Sequence, residues 1–358
     1  MGRLRLMFTL LLMLGLLPGA GIASAQEEET PEPCSAVEIP DAAAPPTQRA
    51  ALRPITLFMG FIPNVQFAPL YVAAEKGYFA EEGIDIRFEY GDENIGLELL
   101  AADELQFAVV SGEQVVLARA REMPVVYIFE WFQQFAVGVV APVAQGIVEP
   151  EDMAGHVIGI PGRYGASWIG FSALLNAAGM AEGDLGGIEP IGFAATEAIC
   201  AGRVDGAVVY ISNEPEQIRA ACSEVDVIPV AAYADLVANG LVTNERTLAE
   251  APDLARRMVR AMARGVADAI SDAETAYALS RVYVENLAED DPVQMKVLEN
   301  SIALWDAEAL GYPQPGYTDP ASWTLTMTTL LDMGLIDAPL DLSGACTNAL
   351  LPPLDEAE

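Results

Sequence analysis

The sequence predicts an α/β protein made of two lobes. Three observations carry this. From Ile55 short apolar runs alternate with helical patterns, the same rhythm restarts at His156, and after Asn239 the pattern turns to helices alone. Strands alternating with helices build a parallel sheet with crossover helices, and a restart builds a second one.

In the first set ITLFMG (55–60), IDIRFEY (84–90), QFAVVS (106–111) and VVYIFEWF (125–132) read as strands, with helices near 68–80, 94–102 and 112–121 between them. In the second, HVIGIP (156–161), GIEPIGF (187–193), DGAVVYI (205–211) and VDVIPV (225–230) are strands, separated by helices near 166–178, 194–201 and 213–222. The chain is expected to change lobes where VGVVAP (137–142) ends the first set and VAAY (230–233) leaves the second. Lobe 1 then takes residues 54–140 and 234–340, lobe 2 takes 141–233, and 341–358 form a tail. Helices at 250–271, 273–287, 291–304 and 320–334 complete lobe 1. Along the first of these, Met258, Val259, Met262, Val266 and Ile270 form one stripe, with Arg256, Arg257, Arg260 and Arg264 elsewhere. A stripe at that spacing is a core face.

The N-terminus carries Arg3 and Arg5, an apolar run from Leu6 to Leu17, and Ala23-Ser24-Ala25. This is the pattern of a secretory signal peptide, residues 1–25, cleaved after Ala25. The run is too short for a membrane anchor, which needs about 20 apolar residues. Export to a periplasmic or extracellular location is expected. Residues 26–53, rich in Glu, Pro and Ala, read as a flexible leader. The net charge of −34 comes from 52 acids against 18 bases, of which only Lys76 and Lys296 are Lys. Phosphate-backbone binding needs clustered Lys and Arg, so a nucleic-acid partner is excluded. The excess acid reads as a solvated, self-repelling surface. A monomer is expected.

Four Cys in an exported chain suggest disulfides, with three possible pairings. Cys34 and Cys346 lie in the two tails and Cys200 and Cys222 flank one strand–helix unit, which favours 34–346 and 200–222. A metal site has little support, since no C-x-x-C occurs and His156 is the only His. His156 opens a strand and reads as a partly buried structural residue.

The run IPNVQFAPLYVAAEKGYFAEEGIDI, followed by YGDENIGLELLAADELQFAVVSGEQVVLARAREMPVVYI, resembles the solute-binding proteins of ABC importers in the thiamine-precursor, riboflavin and sulfonate branch. IGIPGRYGASWIGFSALL, GRVDGAVVYISNEPEQI and GLVTNERTLAEAPDL continue the likeness, which spans roughly residues 55 to 335. The resemblance implies a periplasmic-binding-protein type II fold, two α/β lobes with a ligand cleft between them that closes on a small solute, and ABC permease and ATPase subunits as partners. Eukaryotic thiamine-pyrimidine synthases of the wider family are cytosolic enzymes that use pyridoxal phosphate and depend on a Lys, on His and on a Cys-rich segment. Here the Cys are scattered and a signal peptide leads the chain, so neither an enzyme nor a cofactor is expected.

Solutes of such sheets sit beyond the carboxyl ends of strands. The candidates are therefore strand-end residues. After the first strand these are Asn64, Gln66 and Phe67, amides and a ring that can read and stack on a flat solute; Phe67 and the nearby Tyr71 could instead only pack the helix. Glu93 and Asn94 follow IDIRFEY, Ser111 and Glu113 follow QFAVV, and Trp131 and Phe132 end VVYIFE. Ser111 and Glu113 could equally be an ordinary helix N-terminus. In lobe 2, PGRYGASWIGF opens a helix whose backbone N–H groups can face an anion or carbonyl, or simply turns tightly at its Gly residues. It supplies Arg163, Tyr164, Ser167 and Trp168, and Arg163 could pair with a phosphate or sulfonate or merely answer the acidic surface. YISNEPEQI supplies Tyr210, Asn213 and Glu214, the last at a position where the resemblance implies an acid accepting hydrogen bonds from a ligand ring. One Arg, several acids and about five rings fit a neutral, flat heteroaromatic better than a sulfonate. Riboflavin is favoured and a thiamine pyrimidine precursor comes next. An exported ligand-sensing module without a transporter would need the same cleft.

Overall fold

The computed structural model describes residues 31–40 and 52–353. The expected signal peptide, and the rest of the leader up to residue 51, lie outside the described residues. Strand β1 (Arg53–Met59) is followed by helices α1 (Ala68–Glu75) and α2 (Tyr78–Glu81), β2 (Ile84–Tyr90), α3 (Glu93–Ala101), β3 (Phe107–Ser111), α4 (Gly112–Ala120) and β4 (Val125–Glu130). Then come β5 (Val137–Pro142), β6 (Val157–Ile160), α5 (Gly165–Ala177), β7 (Gly187–Pro190), α6 (Ala195–Cys200), β8 (Gly206–Tyr210), α7 (Glu214–Ala221) and β9 (Val225–Pro229). The chain closes with β10 (Asn239–Asn244), α8 (Glu245–Glu250), α9 (Pro252–Ser271), α10 (Ala273–Ser280), α11 (Pro292–Trp305), α12 (Ala307–Leu310) and α13 (Pro320–Asp332).

These strands form two sheets of five, ordered β2-β1-β3-β10-β4 and β7-β6-β8-β5-β9. Each sheet is parallel except for one strand, and that strand is the first to arrive from the other lobe. β5 runs antiparallel between β8 and β9, with Val139 opposite both Val208 and Ile228. β10 runs antiparallel between β3 and β4, with a register shift between Leu241 and Val242.

Two expectations are corrected here. VGVVAP does not end the first lobe; as β5 it lies inside the second sheet. Its run is buried on both faces, so its pattern says strand without saying which sheet. In the second sheet the backbones approach closely at Gly138, where a Cβ would stand 2.7 Å from the Ile228 carbonyl oxygen. The second correction is β10, absent from the sequence reading, which saw only helices after Asn239. NGLVTN is short and opens on Asn-Gly, a turn signal. It is nonetheless an inner strand, and a Cβ at Gly240 would stand 2.3 Å from the Phe129 carbonyl oxygen. The helix expected at 273–287 also stops at Ser280.

Helix α9 packs its stripe on α1. Met258, Val259 and Met262 are completely buried, each contributing about 1.5–3 kcal/mol. Gly265 allows the approach, since a Cβ there would meet the Pro69 carbonyl oxygen at 2.1 Å. The arginines on its other faces pair outward, Arg260 with Glu82 at 2.7 Å and Arg257 with Asp253 at 2.9 Å.

Disulfides join Cys34 to Cys346 and Cys200 to Cys222, the pairing favoured from the sequence. The first ties residues 31–40 to the C-terminal tail. The Cys34 and Ala36 N–H groups donate to the carbonyls of Leu342 and Ser343, and Val37 and Ile39 pack on the core. This part of the leader is ordered by its cross-link and neighbours, which its composition could not reveal, and Arg53 already opens β1.

Candidate functional site

The carboxyl ends of the parallel strands of both sheets face one cavity of about 330 Å³, near the lower end of the roughly 300–1,000 Å³ usual for small-molecule sites. Asn239 reaches the same edge because β10 runs antiparallel and starts there. Of the residues singled out from the sequence, Gln66, Phe67, Glu93, Asn94, Trp131, Phe132, Tyr164, Ser167, Tyr210, Asn213 and Glu214 line it.

One wall is aromatic. Phe67 stacks on Trp131 at 5.3 Å between ring centres, Trp131 leans on Phe132 at 4.7 Å, and Phe132 meets Tyr210 edge-on at 6.4 Å. Trp131 is buried and its Nε1–H has no acceptor among the described residues. Tyr71 is entirely buried, stacked on Tyr283 at 4.4 Å, and packs the helix without lining the cavity. At the mouth Phe61 from lobe 1 touches Phe193 from lobe 2 edge-on at 5.3 Å, and Tyr164 is half-exposed.

Two side-chain bonds cross between lobes at the cavity edge. Gln66 Nε2 donates to Ser212 Oγ at 2.8 Å, and the Tyr210 hydroxyl donates to Asn239 Oδ1 at 3.0 Å. Gln66 is held by a single 3₁₀ turn, Val65–Phe67, whose cap is Asn64: its Oδ1 accepts the Gln66 N–H at 2.9 Å. Asn64 is therefore a cap and does not line the cavity.

The polar lining is acidic. Asp92 caps α3 through the Asn94 N–H, and the Asn94 side chain also donates to it at 3.0 Å. Glu93 Oε2 accepts from both the N–H and the hydroxyl of Ser111, at 2.9 and 2.8 Å. Glu214 accepts the Tyr210 N–H at 3.1 Å and the Asn213 side-chain amide at 2.9 Å, while Gln217 donates to Asn213 Oδ1. Burial pushes the Glu93 and Glu214 carboxyls upward. Behind Glu93, burial and then the Glu93 charge push Glu113 up to about 8. Among the described residues no Lys, Arg or His lines the cavity.

Four further expectations are corrected. Ser111 and Glu113 are buried behind the lining rather than in it, and Ser111 spends its hydroxyl on carboxylates without capping α4. Arg163 turns outward and forks onto Glu182 at 2.9 and 2.7 Å, with its guanidinium 4.4 Å from the Trp168 ring centre. Trp168 is thereby held beneath Arg163, outside the lining. The Glu182 carboxylate, just beyond the far end of α5, attracts the guanidinium, while the cavity beside it is already acidic. The structure adds Phe61, Ile62, Tyr90, Asp92, Phe193 and Asn239 to the lining. Tyr90, Asp92 and Phe193 end or follow recognised strands, so the strand-end rule reaches them. Asn239 could not be found without β10. His156 sits outside the cavity, its Nδ1 3.4 Å from Asp205.

Two open α/β sheets, exchanging one antiparallel strand each and enclosing a cavity at their strand ends, define a two-lobed fold of the periplasmic-binding-protein type. The chain belongs to the NMT1/THI5-like family, which matches residues 64–276. It is 38% identical to the riboflavin-binding protein RibY of Chloroflexus aurantiacus, over 90% of this chain and 93% of that one. It is 24% identical to a 4-amino-5-hydroxymethyl-2-methylpyrimidine phosphate synthase of Legionella pneumophila, over 83% of this chain and 92% of that one. Among solved structures it is similar to the periplasmic aliphatic sulphonate binding protein SsuA of Escherichia coli, with a TM-score of 0.65, 14% identity, and coverage of 82% and 96%. That likeness concerns the fold alone.

Proposed function

We propose that this protein captures riboflavin, or a close relative of it, outside the cytoplasm and hands it to the permease and ATPase of an ABC importer. The observation that carries the reading is the lining itself: a wall of Phe67, Trp131, Phe132 and Tyr210 beside Glu93 and Glu214, with no cationic side chain among the described residues. A flat ring system gains from the aromatic faces, and carboxylates suit its N–H and hydroxyl donors. The 38% identity to a riboflavin-binding protein supports the same ligand. Two disulfides support an oxidising location. The Gln66–Ser212 and Tyr210–Asn239 bonds are among the contacts that closure of the lobes would make.

A thiamine pyrimidine precursor is the second reading, favoured by the family and by the Glu214 carboxylate. Among the described residues of the lining a sulfonate would meet three acids, Asp92, Glu93 and Glu214, and no cation. Synthase activity has weaker support, since the relative so named is the more distant in sequence.

The test is an absorption spectrum of natively purified protein, with mass spectrometry of anything released on denaturation. Release of a flavin, or a rise in melting temperature with added riboflavin, is expected. A colourless protein whose melting point does not respond to riboflavin rejects the flavin, and pyrimidine precursors are then assayed.

A further inference from the structure

The Ser111 hydroxyl sits between two carboxyl groups, 2.8 Å from Glu93 Oε2 and 2.5 Å from Glu113 Oε1. A hydroxyl has one proton to donate. Both contacts are hydrogen bonds only if a second proton lies on one of the carboxyls. Two features place it on Glu113. Glu113 is wholly buried and among the described residues its Oε2 has no partner, which is tolerable for the carbonyl oxygen of a neutral acid and very costly for a carboxylate. Glu93, in contrast, has Oε2 satisfied twice by Ser111, as a carboxylate should. Its Oε1 faces the other lobe, 3.3 Å from where a Cβ of Gly165 would stand.

We propose that Glu113 is held as a neutral acid that donates through Ser111 to Glu93, fixing one carboxylate oxygen in the cleft as the acceptor for a ligand N–H or hydroxyl, and that loss of this one proton weakens ligand binding. Glu113 is a positioning residue here and Glu93 is the contact. Without the proton, two carboxylates compete for one hydroxyl, and only the Ser111 N–H is left to hold Glu93 in the position that faces Gly165. The inference rests on the reading of this cleft as a solute site.

Among the described residues, the surroundings hold no cation that would neutralise a second charge. The titratable groups around the pair are Asp92 beside Glu93, Tyr127 and Glu130 on β4, Tyr210 on β8 and Glu214 at the start of α7; all are acids or phenols. Helix α5 has no titratable side chain, and α13 has only Asp332 at its end. Burial and the Glu93 charge, which push Glu113 up to about 8, set the pH at which the proton leaves.

The experiment measures riboflavin affinity by fluorescence titration from pH 6 to 9 for the wild type, Glu113→Gln and Glu93→Gln. Infrared difference spectra of the protein without ligand are recorded over the same range. Wild-type affinity should be flat below pH 7 and fall toward tenfold per pH unit above about 8. Glu113→Gln, whose amide donates permanently to Ser111, should show no such fall, and Glu93→Gln should bind at least tenfold more weakly than wild type at pH 6. The infrared band of a protonated carboxyl should be lost as pH rises in the wild type, with its Glu113 share missing from the variant. If Glu113→Gln follows the wild-type pH profile, or contributes no protonated-carboxyl band, the proposal is overturned. If riboflavin fails to bind any of the three, the ligand assignment falls, and the infrared result alone decides whether the relay exists.

Discussion

Replacing Glu130 by Gln should flatten the dependence of stability on pH. Glu130 ends β4, is 7% exposed, and its Oε1 accepts the Ala238 N–H at 3.1 Å, where β4 and the segment entering β10 run side by side. Burial pushes this carboxyl from 4.5 up to about 8. The folded state thus keeps a proton that the unfolded chain releases near 4.5, so the stabilisation is full below that pH and is lost as pH rises toward 8. The slope is about 1.4 kcal/mol per pH unit, or about 5 kcal/mol across the whole interval. Gln keeps the acceptor for Ala238 and cannot ionise. Between pH 5.5 and 7.5 the variant should therefore gain about 3 kcal/mol on the wild type. The assay is urea unfolding of both proteins at several pH values and constant ionic strength, which largely cancels the self-repulsion they share. Parallel stability profiles, with a difference constant to about 0.5 kcal/mol, would refute the reasoning and mean that Glu130 is ionised in the folded protein.

Other outcomes follow from the same contacts. Removing the Cys34–Cys346 bridge, which closes 312 residues, should cost about 5–6 kcal/mol on loop entropy, against about 3 for Cys200–Cys222, which closes 22; urea midpoints of the two Cys→Ser pairs give the order. Gly265→Ala puts a methyl against the Pro69 carbonyl oxygen and the Ala73 side chain, which should lift α9 from α1 and cost about 1–3 kcal/mol by thermal unfolding. On the riboflavin reading, a phosphorylated flavin should bind at least tenfold more weakly than the neutral one, because the lining is acidic and, among the described residues, without a cation. That gap should narrow with added salt in a calorimetric titration, since screening weakens the repulsion.

The site divides along the same line as these effects. Phe67, Trp131, Phe132, Tyr210 and Glu214 were legible as strand-end residues, because a parallel strand delivers whatever follows it to one edge of the sheet. Tyr90 and Phe193 obey the same rule and were reachable by it. Arg163 was not legible, since its direction is decided by Glu182, 19 residues away. Nor was the linking of Glu93 and Glu113 through the Ser111 hydroxyl, the two acids lying 20 residues apart in sequence and brought together only where α3 meets the end of β3.

By itself the sequence determined what local chemistry determines: the two runs of strands and helices, the apolar stripe of α9, the acidic balance, and the strand ends at which rings and carboxylates collect. Those follow from periodicity and side-chain type, which need no distant partner. Only the tertiary structure decided which sheet β5 enters, that NGLVTN is an inner strand, and which of the strand-end side chains face the cavity. Each of those depends on pairing or contact between residues far apart in the chain, where a buried strand fits more than one neighbour and a charged side chain turns toward the partner that folding puts within reach.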